Sequence, residues 1–83
     1  MFQVTLEMKE KELFQKAVGK HIRDLRKARS ITQVELAVYC GMEKSNISRI
    51  ELGGVNPTIY TLKKISEKLE VTLPELLDFE FKK

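Results

Sequence analysis

The chain is poor in the residues that carry chemistry. It has one cysteine, Cys40, so no disulfide can close within it, as suits a reducing, intracellular setting. No apolar run approaches the ~20 residues that cross a bilayer, and the N-terminus lacks a signal-peptide pattern. A cytoplasmic protein with no membrane partner is expected. The one histidine, His21, has a partly buried structural role as its default, and no metal-ligand spacing stands out in the chain. No nucleophile–base pairing and no glycine-rich phosphate loop before a lysine occur. The sequence therefore indicates no catalytic residue, metal, cofactor or small-molecule ligand, and an enzyme is the least expected class. Internal repeats and low-complexity segments are missing as well.

The rest of the composition describes a small folded domain. Hydrophobic residues make up 42% and charged residues 33% of 83 residues, the balance of a soluble single domain with a compact core. The net charge is only +3, but it is unevenly spread: Lys20, His21, Arg23, Arg26, Lys27 and Arg29 crowd together, opposed only by Asp24. Such a cluster attracts a polyanion or forms an ordinary solvated helix face.

Along the chain, Phe2, Val4, Leu6 and Met8 alternate with period two, which predicts a short strand or extended arm. From about Lys9 the period becomes helical, with Leu13, Phe14, Ala17, Val18, His21, Ile22 and Leu25 on one side, to Ala28 or Arg29. Gly19 either weakens this helix or marks the start of the domain proper, after a separate helical arm. Thr32 and Glu35 form a capping box, and Leu36, Ala37 and Cys40 define the apolar face of the short helix they open. Cys40 reads as a small packing residue. Gly41 supplies the left-handed residue that ends this helix. A second short helix begins near Glu43, with Ile47 and Ile50 inward, Glu51 beside them, and Lys44, Ser45, Ser48, Arg49 and Leu52 on the opposite side at about 100° per residue. Turn residues from Gly53 to Pro57 predict a loop. Thr58 caps a fourth helix carrying Leu62, Ile65 and Leu69. Thr72, Pro74 and Glu75 open a fifth, with Leu73, Leu76 and Leu77 apolar. Phe79 and Phe81 then either close the core or form a self-association patch.

Two helices of about eight residues joined through a glycine turn make a helix-turn-helix. Ile22-Arg23-Asp24-Leu25-Arg26, Thr32-Gln33 to Ala37, Gly41, Ile47-Ser48-Arg49-Ile50-Glu51, Gly53, Asn56-Pro57, Thr61-Leu62 and Leu69-Glu70-Val71 to Leu77 together resemble the Cro/CI-type regulators, also called the xenobiotic-response-element family. The similarity covers about residues 19–77, and its specificity comes from many spaced positions rather than one short motif. It implies an all-α, compact five-helix, lambda-repressor-like domain over residues 19–78, with an N-terminal extension over 1–18 and a tail over 79–83.

Side-chain chemistry points the same way. A helix that enters the major groove reads base edges with short polar or guanidinium groups, and Lys44, Ser45, Ser48 and Arg49 have that character. The resemblance implies that Gln33, at the start of the first motif helix, contacts a phosphate there. Its alternative is capping or a polar contact with Lys44. Asn46, Arg23 and Lys27 are further phosphate candidates, with Arg29 looser. The resemblance also implies a buried ion pair between Arg26 and Glu51. The expected function is a sequence-specific, double-stranded-DNA-binding transcriptional regulator, nucleoid-associated in a prokaryote or phage. It binds a palindromic operator as a homodimer, with Phe79, Phe81, Phe2, Val4 and Leu6 as the candidate dimer surface. A restriction–modification controller and an antitoxin are narrower variants. A helical protein-interaction module without a DNA role is the rival from another class. Three features depart from the family pattern: Leu52 stands where a polar residue is usual, Val34 and Val38 occupy a usually charged surface, and the 18 residues before Gly19 are more than the minimal domain needs.

Overall fold

In a computed structural model, the backbone is described for residues 2–81 and the side chains for residues 9–81. Five helices follow one another, α1 (Phe2–Ala28), α2 (Gln33–Cys40), α3 (Lys44–Leu52), α4 (Ile59–Leu69) and α5 (Leu73–Leu76), and no strand occurs among the described residues. The all-α expectation holds.

The period-two alternation at the N-terminus is the reading the structure corrects, because α1 already begins at Phe2. A lone strand needs a partner strand to satisfy its backbone, whereas a helix satisfies its own, and a helix follows this segment without a break. Met1 lies outside the described residues.

The boundaries follow local chemistry. Thr32 and Thr72 each close a full capping box, the hydroxyl accepting the N–H of Glu35 or Glu75 and that carboxylate accepting the threonine N–H. The bond to the threonine backbone holds both carboxyls below their ordinary range. Thr58 caps α4 by accepting from the Thr61 N–H, and Gly41 ends α2 with φ 67°.

Ile22, Leu36, Ile47, Ile65, Leu69 and Leu76 are fully buried, and Val18, Ala37 and Ile50 complete the core. Leu77 departs from expectation. It follows the single turn of α5 and is 43% exposed, so the apolar face of α5 reduces to buried Leu76 and half-buried Leu73. Phe79 packs against the core, with ring centroids 6.0 Å from Phe14 and 5.3 Å from His21, while Phe81 meets Phe14 edge-on at 5.0 Å. The tail therefore folds back onto α1. His21 Nε2 lies 3.2 Å from the Glu75 carbonyl oxygen, which can only accept, so that nitrogen carries the proton. Cys40 is half-buried, and burial raises its thiol pKa, as expected of a packing residue.

Gly19 does not start α1 but lies within it. A Cβ there would sit 2.6 Å from the Glu51 carbonyl oxygen and closer still to that of Ile50. The missing side chain is what lets α1 cross the C-terminal end of α3 at backbone contact. Gly19→Ala is expected to lower stability by about 1–3 kcal/mol, as overpacking does. Ala is the better helix former, so an unchanged denaturant midpoint would mean that the crossing relaxes freely.

Candidate nucleic-acid interface

The site is built on the α1–α3 crossing. Arg26 and Glu51 meet there as a bidentate pair: Arg26 Nε donates to Glu51 Oε2 at 2.6 Å and Nη2 to Oε1 at 3.0 Å. Side-chain exposures of 9% and 2% make this the buried pair that the resemblance implied. The third nitrogen, Nη1, donates to the Ile31 carbonyl at 2.8 Å, tying down the connection between α1 and α2. The bond to Glu51 raises the Arg26 pKa further and keeps it charged.

Gln33 differs from expectation in its partner. Its Nε2 donates to Glu51 Oε1 at 3.0 Å, so its polar contact is Glu51 and not Lys44. Glu51 therefore collects Arg26 from α1 and Gln33 from α2 while standing on α3. An amide nitrogen carries two protons, and the bond to Glu51 uses one. The other is free for an acceptor on the solvent side of half-buried Gln33.

An open cleft lies beside this network, walled by Lys27 and Ser30 from the α1 end, Thr32, Gln33 and Val34 from the α2 start, and Lys44 from the α3 start. The amides of Gln33 and Val34 head α2 and have no intrahelical acceptor. Helix-end amides with lysines on both flanks create a local positive potential suited to an oxyanion. Of the phosphate candidates, Lys27 and Gln33 share this cleft. Arg23 is exposed on α1 but does not line it. Lys44, assigned to base reading from sequence, stands at the cleft edge.

Across α3, Lys44, Ser45 and Arg49 are exposed and Ser48 is half-buried, while Ile47 and Ile50 face the core. Arg49 Nη1 reaches Asn46 Oδ1 at 3.5 Å, a long contact that leaves the guanidinium free to move. Leu52 is 68% exposed at the C-terminal end of the same face. Val34 and Val38 are exposed on α2, Val34 as part of the cleft wall. Residue spacing did not signal the part that Ser30 and Ile31 play, since both act through the chain turn that Arg26 holds.

Two short helices at a glycine turn, the second with a polar outer face and an ion pair behind it, match the HTH_3 family, described as helix-turn-helix, over residues 22–76. The chain belongs to this family. The Cro/CI-type resemblance read from the sequence is thereby borne out. The chain is 45% identical over 64 residues to the HTH-type transcriptional regulator SlrR of Bacillus subtilis, covering 76% of this chain and 42% of SlrR. It is 37% identical over 62 residues to control protein C.BamHI of Bacillus amyloliquefaciens, covering 74% of this chain and 76% of that protein. The restriction-modification controller protein C.AhdI from Aeromonas hydrophila superposes with a TM-score of 0.72 at 27% identity, over 75% of this chain and 90% of that one. The chain thus spans about two fifths of SlrR but most of each controller protein. Among the described residues, no helix is long and apolar enough to cross a membrane, and no cluster of three or more His, Cys, Asp or Glu could hold a metal ion.

Proposed function

We propose that the chain is a sequence-specific DNA-binding transcriptional regulator that docks α3 in the major groove of double-stranded DNA, working as a cytoplasmic homodimer on a palindromic operator. The observation that carries this reading is the continuity of the lysine-flanked cleft at the head of α2 with the exposed polar face of α3. A backbone phosphate seated in the cleft receives the α2 amides, the second proton of Gln33 Nε2 and the Lys27 ammonium. That anchor fixes the register from which Lys44, Ser45, Ser48 and Arg49 meet base edges. Arg23 and Asn46 add outlying phosphate contacts. Exposed Leu52 fits an apolar contact with a thymine methyl better than a hydrogen bond to the backbone. Glu51 does not repel the DNA because Arg26 neutralises it at hydrogen-bond distance. One short helix makes few base contacts, and a two-fold pair of them roughly squares the discrimination. The functional unit is residues 19–78, with residues 1–18 and 79–83 flanking it.

A narrower reading, restriction–modification control, is supported by the similarity to C.BamHI and C.AhdI, which extends over most of each of those two proteins. Selection from randomised duplexes with the purified full chain tests the broader reading. The expected result is a palindrome whose half-sites are centred about 10–10.5 base pairs apart. No enrichment at low salt would favour a protein-interaction module instead.

A further inference from the structure

Between α1, α4 and the tail the surface opens into a groove of about 230 Å³, walled by Phe14, Val18, Leu62, Leu77, Phe79 and Phe81. A dry apolar cavity of about 150 Å³ takes a benzene ring, so a space of this size takes a bicyclic one. It lies below the roughly 300–1,000 Å³ of drug-sized sites. The aromatic walls stand at angles to each other: Phe14 meets Phe81 edge-on at 5.0 Å and Phe79 tilted at 6.0 Å. Ring faces and ring edges are both on offer, which suits a flat aromatic guest. Among the described residues no charged side chain lines the groove, and a charge buried without a partner is costly, so the guest is uncharged.

The wall also holds one unmet polar group. Gln15 lines the groove, and its Nε2 donates to the Gly53 carbonyl at 3.1 Å. That bond fixes the amide and leaves Oε1 buried with no hydrogen-bond partner among the described residues. A buried acceptor without a donor is costly, and such an atom calls for an explanation. The rim is able to move: Phe14 and Leu77 are nearly half exposed, and exposed side chains change rotamer within nanoseconds. A guest bearing an N–H or O–H reaches Oε1 once the rim shifts.

We infer that this groove binds a small, uncharged aromatic molecule with one hydrogen-bond donor, which it gives to Gln15 Oε1 while its rings lie among Phe14, Phe79 and Phe81. The site goes beyond the DNA-binding reading and does not depend on it. It is nonetheless joined to α3. The carbonyl that Gln15 holds belongs to Gly53, the left-handed residue with φ 79° that ends α3, and Asn56 and Pro57 of the following loop line the same groove. Occupancy is therefore felt at the C-terminal end of α3.

Titration of the isotope-labelled full chain with indole, followed by nuclear magnetic resonance, tests the inference. Indole is flat, bicyclic and uncharged, and it carries one N–H. Indene has the same shape with a methylene in place of the N–H and serves as the control. Indole is expected to shift the Gln15 side-chain amide and the backbone amides of Phe14, Gly53 and Leu77 saturably, while those of Gln33 and Val34 stay in place. It should bind about five- to tenfold more tightly than indene, the margin of one hydrogen bond to a buried acceptor. Gln15→Met removes the acceptor and should abolish that margin while indene binding persists. Leu77→Trp fills the groove from its exposed rim and should lose both compounds. Far-UV circular dichroism checks that each variant is folded. Equal wild-type affinities for indole and indene, or shifts that spread along the chain without saturating, would overturn the inference. Groove signals that move with protein concentration and ignore indole would overturn it too, and would give the groove to a second copy of the chain.

Discussion

Glu51→Gln is expected to lower stability by about 3–5 kcal/mol, the range for removing one partner of a buried ion pair. Three donors converge on this carboxylate: Arg26 Nε and Nη2, and Gln33 Nε2. An amide in its place keeps one acceptor oxygen and turns the other position into a donor facing a donor. It also leaves the Arg26 guanidinium buried without its counter-charge. For a domain of this size each kcal/mol shifts the melting temperature by roughly 4–8 °C, so the loss amounts to ten degrees or more. Calorimetry or thermal melting by circular dichroism checks it, and an unchanged Tm would show that the pair contributes nothing. A second readout separates position from stability. Measured below its own Tm, the variant should bind DNA less tightly, and Gln33→Ala should add little further loss in its background. If the two losses instead add fully, Glu51 does not position Gln33.

The ion pair shows which parts of the structure were legible in the sequence. Arg26 and Glu51 stand 25 residues apart, and the family pattern supplied their pairing, not any local signal. The threonine caps, Gly41 and the inward isoleucines were legible because each is fixed by chemistry within one or two turns of chain. The direction of the Gln33 amide was not. It depends on where α3 carries Glu51, and α3 is set in turn by the backbone contact at Gly19. Gly19 itself read as a weak point or a boundary because the reason for it lies on another helix. The N-terminal segment misled for the opposite reason. Period-two apolar spacing over eight residues is short enough to sit on a helix as well, and only continuity with the following turns decides between the two. The polar outer face of α3 was legible as a set of neighbours, while the sharing of one cleft by Lys27, Gln33 and Lys44, without Arg23, required the fold.

Base reading and phosphate anchoring are expected to separate in mutant binding data. Arg49 stands exposed on the outward side of α3, held only by a 3.5 Å contact to Asn46, so its guanidinium can turn to a guanine edge. Arg49→Ala should cost about 1–3 kcal/mol per half-site on the operator and relax one operator position. A two-fold complex counts that loss twice, while affinity for random duplex should change little. Gln33 contributes a neutral amide proton to the cleft, so Gln33→Ala should weaken operator and random DNA alike and leave the salt slope unchanged. Lys27 brings a charge to the same cleft, and Lys27→Ala should flatten the slope of log affinity against log salt by about 0.9 per contact, or nearly two for the dimer. Titrations at several salt concentrations on both duplexes yield all three numbers. Equal losses on operator and random DNA for Arg49→Ala would move it from base reading to the phosphate set. An unchanged salt slope for Lys27→Ala would place the backbone path away from the α2 cleft, and the polar face of α3 would then lack the anchor that sets its register.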